Sequence, residues 1–186
     1  MEKSEFKIKK TVVALVLNDI TKMDTDVIVN AANSSLLGGG GVDGSIHQKG
    51  GSNILDECKE IRSSRFPTGL PTGQAVLTSA GNLKSKYVIH TVGPIWKGGF
   101  HHESEFLEKS YLSSLNLAFS KGISSISFPS ISTGTYKFPT KEASIVALRA
   151  IKNFVAKQEL ISKVVMVLFS KKTYKIYLET AKEIFK

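Results

Sequence analysis

Short runs rich in valine and isoleucine alternate along this chain with stretches whose apolar residues recur every three to four positions. The short runs are too brief and too apolar for surface helices, so they indicate buried strands. They cover residues 11–17, 27–30, 75–78, 87–92, 125–129 and 164–169. Strands that alternate with helices form a sheet with helices on both faces. The pattern therefore predicts an α/β protein, a three-layer α/β/α sandwich with a mixed, mostly parallel central sheet.

The helical stretches lie between these strands and after the last of them. The predicted helices cover about 42–62, 106–119, 143–154 and 173–185. Gly50 and Gly51 interrupt the composition of the first helix without ending its apolar face. Gly122 is the predicted stop of the second helix, and Thr140 is the predicted N-cap of the third.

Length and composition favour one domain. The 186 residues contain no Pro/Ser-rich linker, internal repeat or low-complexity tract, so we predict a single domain over 1–186. A single cysteine, Cys58, excludes an internal disulfide and favours a reducing, cytoplasmic setting. Every apolar run falls far below the roughly 20 residues of a membrane span, so no membrane partner is expected. We also expect a monomer.

The charge balance favours an anionic partner. Lys and Arg number 25 against 16 Asp and Glu, which gives a formal net charge of +9. Nucleotides or RNA would suit such a surface. Nucleic-acid binding is not expected, because no aromatic-basic stacking motif accompanies the charge. RNA binding remains a competing class, and steep salt dependence would be its signature.

Two loops that follow predicted strands are suited to phosphate. The first, residues 36–43, contains four consecutive glycines and precedes a helix. Glycine amides at a helix N-terminus can point at an anion, and the helix dipole assists; a flexible surface loop is the alternative. The second loop, residues 130–136, also joins a strand to a helix. Two such loops at neighbouring strand ends predict a ligand with a pyrophosphate.

Four motifs occur in order along the chain. They are Asn-Asp-Ile-Thr with Asp-Val-Ile-Val-Asn-Ala-Ala-Asn (18–33), Leu-Leu-Gly-Gly-Gly-Gly-Val-Asp-Gly-Ser-Ile-His (36–47), Val-Ile-His-Thr-Val-Gly-Pro (88–94) and Phe-Pro-Ser-Ile-Ser-Thr-Gly-Thr-Tyr (128–136). Together they resemble a macrodomain, and within that superfamily the MacroD type of ADP-ribosyl-ester hydrolase. The resemblance extends from about Lys10 to the last helix.

The resemblance implies a pocket for ADP-ribose, with ADP-ribose and ADP-ribosylated proteins as partners and without a cofactor or a metal. Asp19 would accept a hydrogen bond from the adenine amino group, Ile20 would contribute its backbone amide, and Phe169 would flank the ring. A turn residue is the alternative for Asp19 and a core aromatic for Phe169. The implied diphosphate cradle consists of Gly39, Gly40, Gly41, Val42, Ser132, Thr133, Gly134, Thr135 and Tyr136. Tyr136 would also line the distal ribose.

The resemblance implies catalytic roles for Asn33, Asp43 and His47. Asn33 would contact the distal ribose hydroxyls, with a buried turn-forming residue as the alternative. Asp43 would face the distal ribose and orient and deprotonate a water, unless a substrate phosphate is the base or Asp43 only caps the helix. His47 lies four residues later on the same helix face, where it would support that face or the ribose, or simply pack.

Other chemically active side chains are interpreted as structural. His90 lies inside a predicted strand, Cys58 on a core helix face, and His101 and His102 in a polar surface loop without metal-ligand spacing. Lys137 and Ser170 depart from the family pattern, which commonly has glycine and an acid at these positions, and Asn18 replaces another glycine.

The sequence therefore predicts a hydrolase that removes mono-ADP-ribose from modified Asp and Glu side chains and also deacetylates O-acetyl-ADP-ribose. The main alternative is a non-catalytic ADP-ribose reader. Retention of Asn33, Asp43 and the glycine run argues against the reader. A phosphatase acting on ADP-ribose 1″-phosphate is a weaker enzymatic option.

Overall fold

A single mixed sheet forms the middle layer of the computed structural model, which describes residues 2–186. Its strands are β1 (Lys3–Ile8), β2 (Thr11–Leu17), β3 (Val27–Ala32), β4 (Ala75–Ser79), β5 (Tyr87–Val92), β6 (Ser125–Phe128) and β7 (Lys163–Leu168). They pair in the order β1-β2-β7-β6-β3-β5-β4. The four pairings from β2 to β5 are parallel, and the two outermost, β1 with β2 and β4 with β5, are antiparallel.

Helices cover both faces of this sheet. They are α1 (Gly41–Gly50), α2 (Ser52–Ser64), α3 (Glu103–Ser120), α4 (Thr140–Val155) and α5 (Lys171–Ile184). Alternate β2 residues point to opposite cores: Leu15 packs in the cluster with α3, α4 and α5, and Val16 in the cluster with α1 and α2. The predicted three-layer sandwich is confirmed. None of the helices within residues 2–186 is long and apolar enough to cross a membrane.

Three details of the predicted elements were wrong. Strand β1 was not predicted; it is an edge strand whose residues are exposed or half-buried in alternation. The single helix predicted over 42–62 is two helices, because Gly51 adopts a φ of +85° and ends α1. Thr140 is the first residue of α4, not its N-cap; the N-cap is Pro139, which has no side-chain hydrogen bond to offer.

Two buried tyrosines of the core form hydrogen bonds to the loop between β6 and α4. The loop after β6 receives the buried hydroxyls of two tyrosines, from α3 and α5. The Tyr111 hydroxyl donates to the carbonyl of Pro129 at 3.3 Å and accepts from the amide of Ile131 at 3.3 Å. The Tyr177 hydroxyl is 2.8 Å from the Ser130 hydroxyl. This loop is therefore fixed before any ligand arrives.

Asp26 ties the start of β3 to its neighbours. Its carboxylate lies 2.8 Å from the Lys86 ammonium and accepts from Ser124 and from the amide and hydroxyl of Ser125. The hydrogen bonds from Lys86 and Ser125 hold its pKa at about 2. A carboxyl whose pKa is lower in the folded state stabilises the fold above its unfolded pKa, and this contribution is lost as the pH falls towards 2.

We expect Asp26→Asn to lower the free energy of unfolding by about 2 kcal/mol at pH 7. The difference from wild type should shrink as the pH falls from about 4 to about 2, where the wild-type carboxyl also becomes neutral. Urea unfolding at several pH values measures it, with the exposed neighbour Asp24→Asn as control. A difference that stays constant with pH would contradict this assignment.

Candidate active site

One cavity of about 660 Å³ opens at the carboxyl ends of β3, β6 and β7. The residues that the sequence analysis named and that line it are Asp19, Ile20, Asn33, Gly39, Gly40, Gly41, Val42, Asp43, Ser132, Thr133, Gly134, Thr135, Tyr136 and Phe169. His47 is not part of the lining. The structure thus brings together residues from five separate segments of the chain, while their individual roles stay predictions.

Two runs of backbone amides face this cavity without internal partners. Among residues 2–186, neither the N–H groups of residues 39–43 nor those of residues 132–136 have a hydrogen-bond acceptor. The first run includes the N-terminus of α1, whose N-cap, Gly40, offers no side chain. Converging unpaired amides form an anion-binding concavity, and the helix dipole of α1 adds to its potential.

The second loop owes its shape to two residues in the left-handed backbone region. Ser132 has a φ of +65° and Lys137 a φ of +59°. The Phe138 amide donates to the Ser132 carbonyl at 3.0 Å, and the Lys137 amide to the Gly134 carbonyl at 3.0 Å. A lysine with positive φ explains why glycine is common here in the family that the sequence resembles. The two hydrogen bonds hold Ser132 and Lys137 in this unfavourable backbone conformation.

Asp19 also lines the cavity, and it is the N-cap of a short 3-10 helix, Ile20–Lys22. Its Oδ1 accepts from the amide and hydroxyl of Thr21 at 2.9 and 2.7 Å, and its Oδ2 is 2.6 Å from the Lys49 ammonium. Burial opposes ionisation, but the hydrogen bonds from Lys49 and Thr21 outweigh it and lower the Asp19 pKa to about 2. The carboxylate therefore stays an acceptor over the whole physiological pH range.

The aromatic ring of Phe169 is exposed and can contact a ligand in the cavity. It is 85% exposed at the mouth of the cavity, so the interpretation as a core aromatic is wrong. The next residue, Ser170, replaces the family's acid and serves as the N-cap of α5, where its hydroxyl accepts from the Thr173 amide at 3.1 Å. An exposed aromatic ring beside a polar helix start is suited to stack against a planar base.

Asp43 lies in the first turn of α1 and is 4% exposed. Its side chain does not cap the helix; Oδ1 instead accepts from Asn30 Nδ2 at 2.6 Å. The alternative that Asp43 only caps α1 is therefore wrong. Burial and the Asp43 charge raise the pKa of Tyr136, so that phenol stays protonated at neutral pH. The structure thus places a carboxylate at the edge of the anion-binding loops.

The orientation of Asn33 is fixed by its own neighbours. Its side-chain oxygen accepts from the Ser35 amide at 2.9 Å, and its Nδ2 donates to the Gly38 carbonyl at 2.9 Å. An amide nitrogen carries two protons, so one N–H remains for a ligand. A Cβ built on Gly39 would lie 3.1 Å from Asn33 Nδ2 and 3.0 Å from Asp43 Oδ2, so both groups converge on one small region of the cavity.

His47 lies behind Asp43, with Nε2 3.4 Å from Asp43 Oδ1 and the side chain 13% exposed. Among the described residues, neither of its ring nitrogens has a hydrogen-bond partner. The prediction that His47 shares a helix face with Asp43 is confirmed, and the imidazole lies outside the lining of the cavity. Its support of the ribose stays a prediction.

One cluster within residues 2–186 has the geometry to hold a metal ion. Ligand atoms of His47, Cys58 and His90 all lie within 4.8 Å of one another. The predictions that His90 and Cys58 are buried are confirmed. Burial, aided by the charges of Asp43 and Glu57, raises the pKa of the Cys58 thiol to about 12, so the thiol is protonated. His101 and His102 have exposed side chains, as expected.

Two residues of the site had no role in the sequence analysis. Lys49 is an ordinary charged residue of α1, and only the fold shows that its ammonium reaches Asp19, 30 positions earlier. Asn30 belongs to the motif that includes Asn33, but its contact with Asp43 depends on the packing of α1 against β3. The signal available in the sequence was a polar side chain inside an otherwise apolar strand.

Comparison with known proteins gives consistent matches. Residues 29–147 match the family model described as Macro domain. A relative from Citrobacter koseri named O-acetyl-ADP-ribose deacetylase is 48% identical over 159 residues, which is 86% of this chain and 89% of the relative. The family match spans both phosphate-type loops and Asp43.

Solved structures share the architecture over almost the whole chain. The Oceanobacillus iheyensis macrodomain with ADP superposes with a TM-score of 0.95 at 45% identity, covering 98% of this chain and 96% of that one. The Trypanosoma brucei macrodomain in complex with ADP-ribose gives a TM-score of 0.82 at 36% identity, covering 90% and 68%. The first is a structure with ADP, and the second is a complex with ADP-ribose.

Proposed function

The chain belongs to the Macro domain family, and from that premise we propose that it binds ADP-ribose and hydrolyses esters on the distal ribose. The two proposed substrates are O-acetyl-ADP-ribose and proteins mono-ADP-ribosylated on Asp or Glu. Both carry an acyl ester on the same sugar, so one site can serve both. The name of the Citrobacter koseri relative and the ADP-ribose ligand of the Trypanosoma brucei macrodomain support this proposal.

The observation that carries the proposal is a nearly buried carboxylate beside two loops of unpaired amides. Asp43 is 4% exposed, yet it lines the cavity next to Gly39 and the free N–H of Asn33. A pure binding site for a diphosphate gains nothing from a carboxylate at this position, because like charges repel. A hydrolytic site needs such a group to accept a proton from water.

The chemistry requires few protein groups. Water adds across the ester, and the products are a free carboxylate and the ribose hydroxyl of ADP-ribose. Asp43 would orient the water and take its proton, with a diphosphate oxygen of the substrate as the other candidate base. Asn33 would hold the ribose with its remaining N–H, and the amides of residues 132–136 would fix the diphosphate. A carboxylate is a good leaving group, so positioning and electrostatics suffice.

The test compares ester and non-ester substrates with the full chain. We expect wild-type protein to release acetate from O-acetyl-ADP-ribose and ADP-ribose from a Glu-modified protein, measured by chromatography. ADP-ribose linked to serine is the control; its bond is a glycosidic ether with a poorer leaving group, and we expect no release. Tight calorimetric binding of ADP-ribose without turnover of either ester would refute the hydrolase and leave a reader.

A further inference from the structure

A line of buried polar side chains runs from Asp43 into the interior, away from the cavity. It consists of Asn30 on β3, His90 on β5 and Thr78 on β4, with exposed fractions of 0%, 0% and 2%. The parallel register of β3 and β5 places Asn30 directly opposite His90. None of the three lines the cavity, so none can bind the ligand directly. Polar groups buried this deeply are costly unless each finds a partner.

The hydrogen bonds of this line have one consistent direction. The Thr78 hydroxyl donates to the Ser79 carbonyl at 2.9 Å, so its oxygen accepts from His90 Nε2 at 2.9 Å. Burial lowers the pKa of His90 to about 3, so the ring is neutral and has one N–H. His90 Nδ1 is therefore the acceptor for Asn30 Nδ2 at 3.1 Å. The second proton of Asn30 Nδ2 points to Asp43 Oδ1 at 2.6 Å.

The Asn30 amide has nothing else to hold it in this orientation. Within residues 2–186 its side-chain oxygen is buried without a hydrogen-bond partner. If the amide turned over, that oxygen would face both the lone pair of His90 Nδ1 and the Asp43 carboxylate. Such an arrangement is repulsive unless both groups gain a proton. The tautomer of His90, set by Thr78, therefore determines which side of Asn30 faces Asp43.

We propose that Thr78, His90 and Asn30 are positioning residues that orient Asp43 for the hydrolysis proposed above. The proposal rests on that function for its kinetic consequence, but not for its structural one. An N–H donor directed at Oδ1 fixes that oxygen and leaves Oδ2 for the cavity. Thr78 and His90 act only through Asn30, and Asn30 only through Asp43.

Other titratable groups lie around Asp43. They are His47 on α1, Cys58 on α2, His90 on β5 and Tyr136 in the loop after β6. Cys58 Sγ is 3.7 Å from His90 Nε2 and is at most a second, weaker acceptor for that proton. Both nitrogens of His90 already have partners, Thr78 and Asn30, and these three residues with Asp43 form the hydrogen-bond relay.

The experiment removes the far end of the relay and leaves the cavity untouched. In Thr78→Val the His90 Nε2 proton loses its hydroxyl acceptor, whereas Thr78→Ser keeps it. We expect Thr78→Val to lower kcat on O-acetyl-ADP-ribose about tenfold with KM within about twofold. The His90 ring should also lose its single tautomer, which its ring-nitrogen chemical shifts report. Thr78→Ser should restore both kcat and the tautomer.

A matched control separates this effect from general damage to the core. Thr25 is also 2% exposed, and its hydroxyl lies 2.8 Å from the Ser127 hydroxyl at the opposite end of β3. Thr25→Val removes an equally buried hydroxyl, and we expect an unchanged kcat. An equal loss of kcat in Thr25→Val and Thr78→Val would overturn the proposal.

Nuclear magnetic resonance tests the relay without relying on turnover. In labelled wild-type protein we expect the His90 proton on Nε2, and in Thr78→Val we expect part of it on Nδ1. An inactive wild type with the proton on Nε2 would refute the proposed hydrolase but keep the relay. A proton on Nδ1 in wild type, or an unchanged His90 tautomer in folded Thr78→Val, would overturn it.

Discussion

Asp43→Ala is expected to lower kcat on O-acetyl-ADP-ribose by about two orders of magnitude or more, the scale of a lost general base. Binding of ADP-ribose should change far less, because the unpaired amides of residues 39–43 and 132–136 remain. Loss of a negative charge beside the diphosphate could even tighten binding. Single-turnover kinetics and calorimetry on the same preparation separate the two effects.

Two further variants make the Asp43 result specific. Asp43→Asn keeps the size of the side chain but can neither take a proton nor accept in the same way from Asn30, so we expect it to be as inactive as alanine. Asp56→Ala removes an exposed carboxylate from α2 and should leave kcat unchanged. If Asp43→Ala retains a third or more of the wild-type kcat, a substrate phosphate is the base and Asp43 is not.

The elements with the clearest periodicity were predictable from the sequence. Strands β2 and β5 have the predicted bounds, because both are short, apolar and flanked by polar residues. Strand β1 was missed, because its three charged residues alternate with Ser4, Phe6 and Ile8 on an exposed edge and give little hydrophobic signal. The division into α1 and α2 depends on the backbone angle of Gly51, which a periodicity of apolar residues does not report.

The loops that form the cavity could be predicted from the sequence, whereas the buried polar groups that contact Asp43 could not. Loops that follow strands converge at one edge of a parallel sheet, so the motif containing Asp43 and the loop ending in Tyr136 were expected to meet. The relay could not be predicted, because Asn30, His90 and Thr78 meet only through the order β3-β5-β4 and its register. Nothing local in the sequence distinguishes these side chains from other buried polar groups.

Gly44→Ala is expected to weaken ADP-ribose binding about a hundredfold, although Gly44 does not line the cavity. A Cβ at this position would lie 2.5 Å from the carbonyl oxygen of Gly39, which is backbone and cannot rotate away. Gly39 must therefore move, and it lies beside both Asn33 Nδ2 and Asp43 Oδ2. The shift would misalign the amides of the first loop with the diphosphate.

Calorimetric titration of ADP-ribose into folded Gly44→Ala, well below its unfolding temperature, measures this effect. Gln48→Ala is the control, since it places an alanine at an exposed position of α1 without adding a Cβ, and it should bind like wild type. Alanine favours a helix more than glycine does, so the intrinsic preference of α1 opposes any loss of stability. If Gly44→Ala weakens ADP-ribose binding although alanine favours helix α1, the cause is the contact of the new Cβ with the Gly39 carbonyl. Binding within threefold of wild type would contradict this prediction, because it would mean that residues 36–43 can accommodate the added Cβ and still bind the diphosphate.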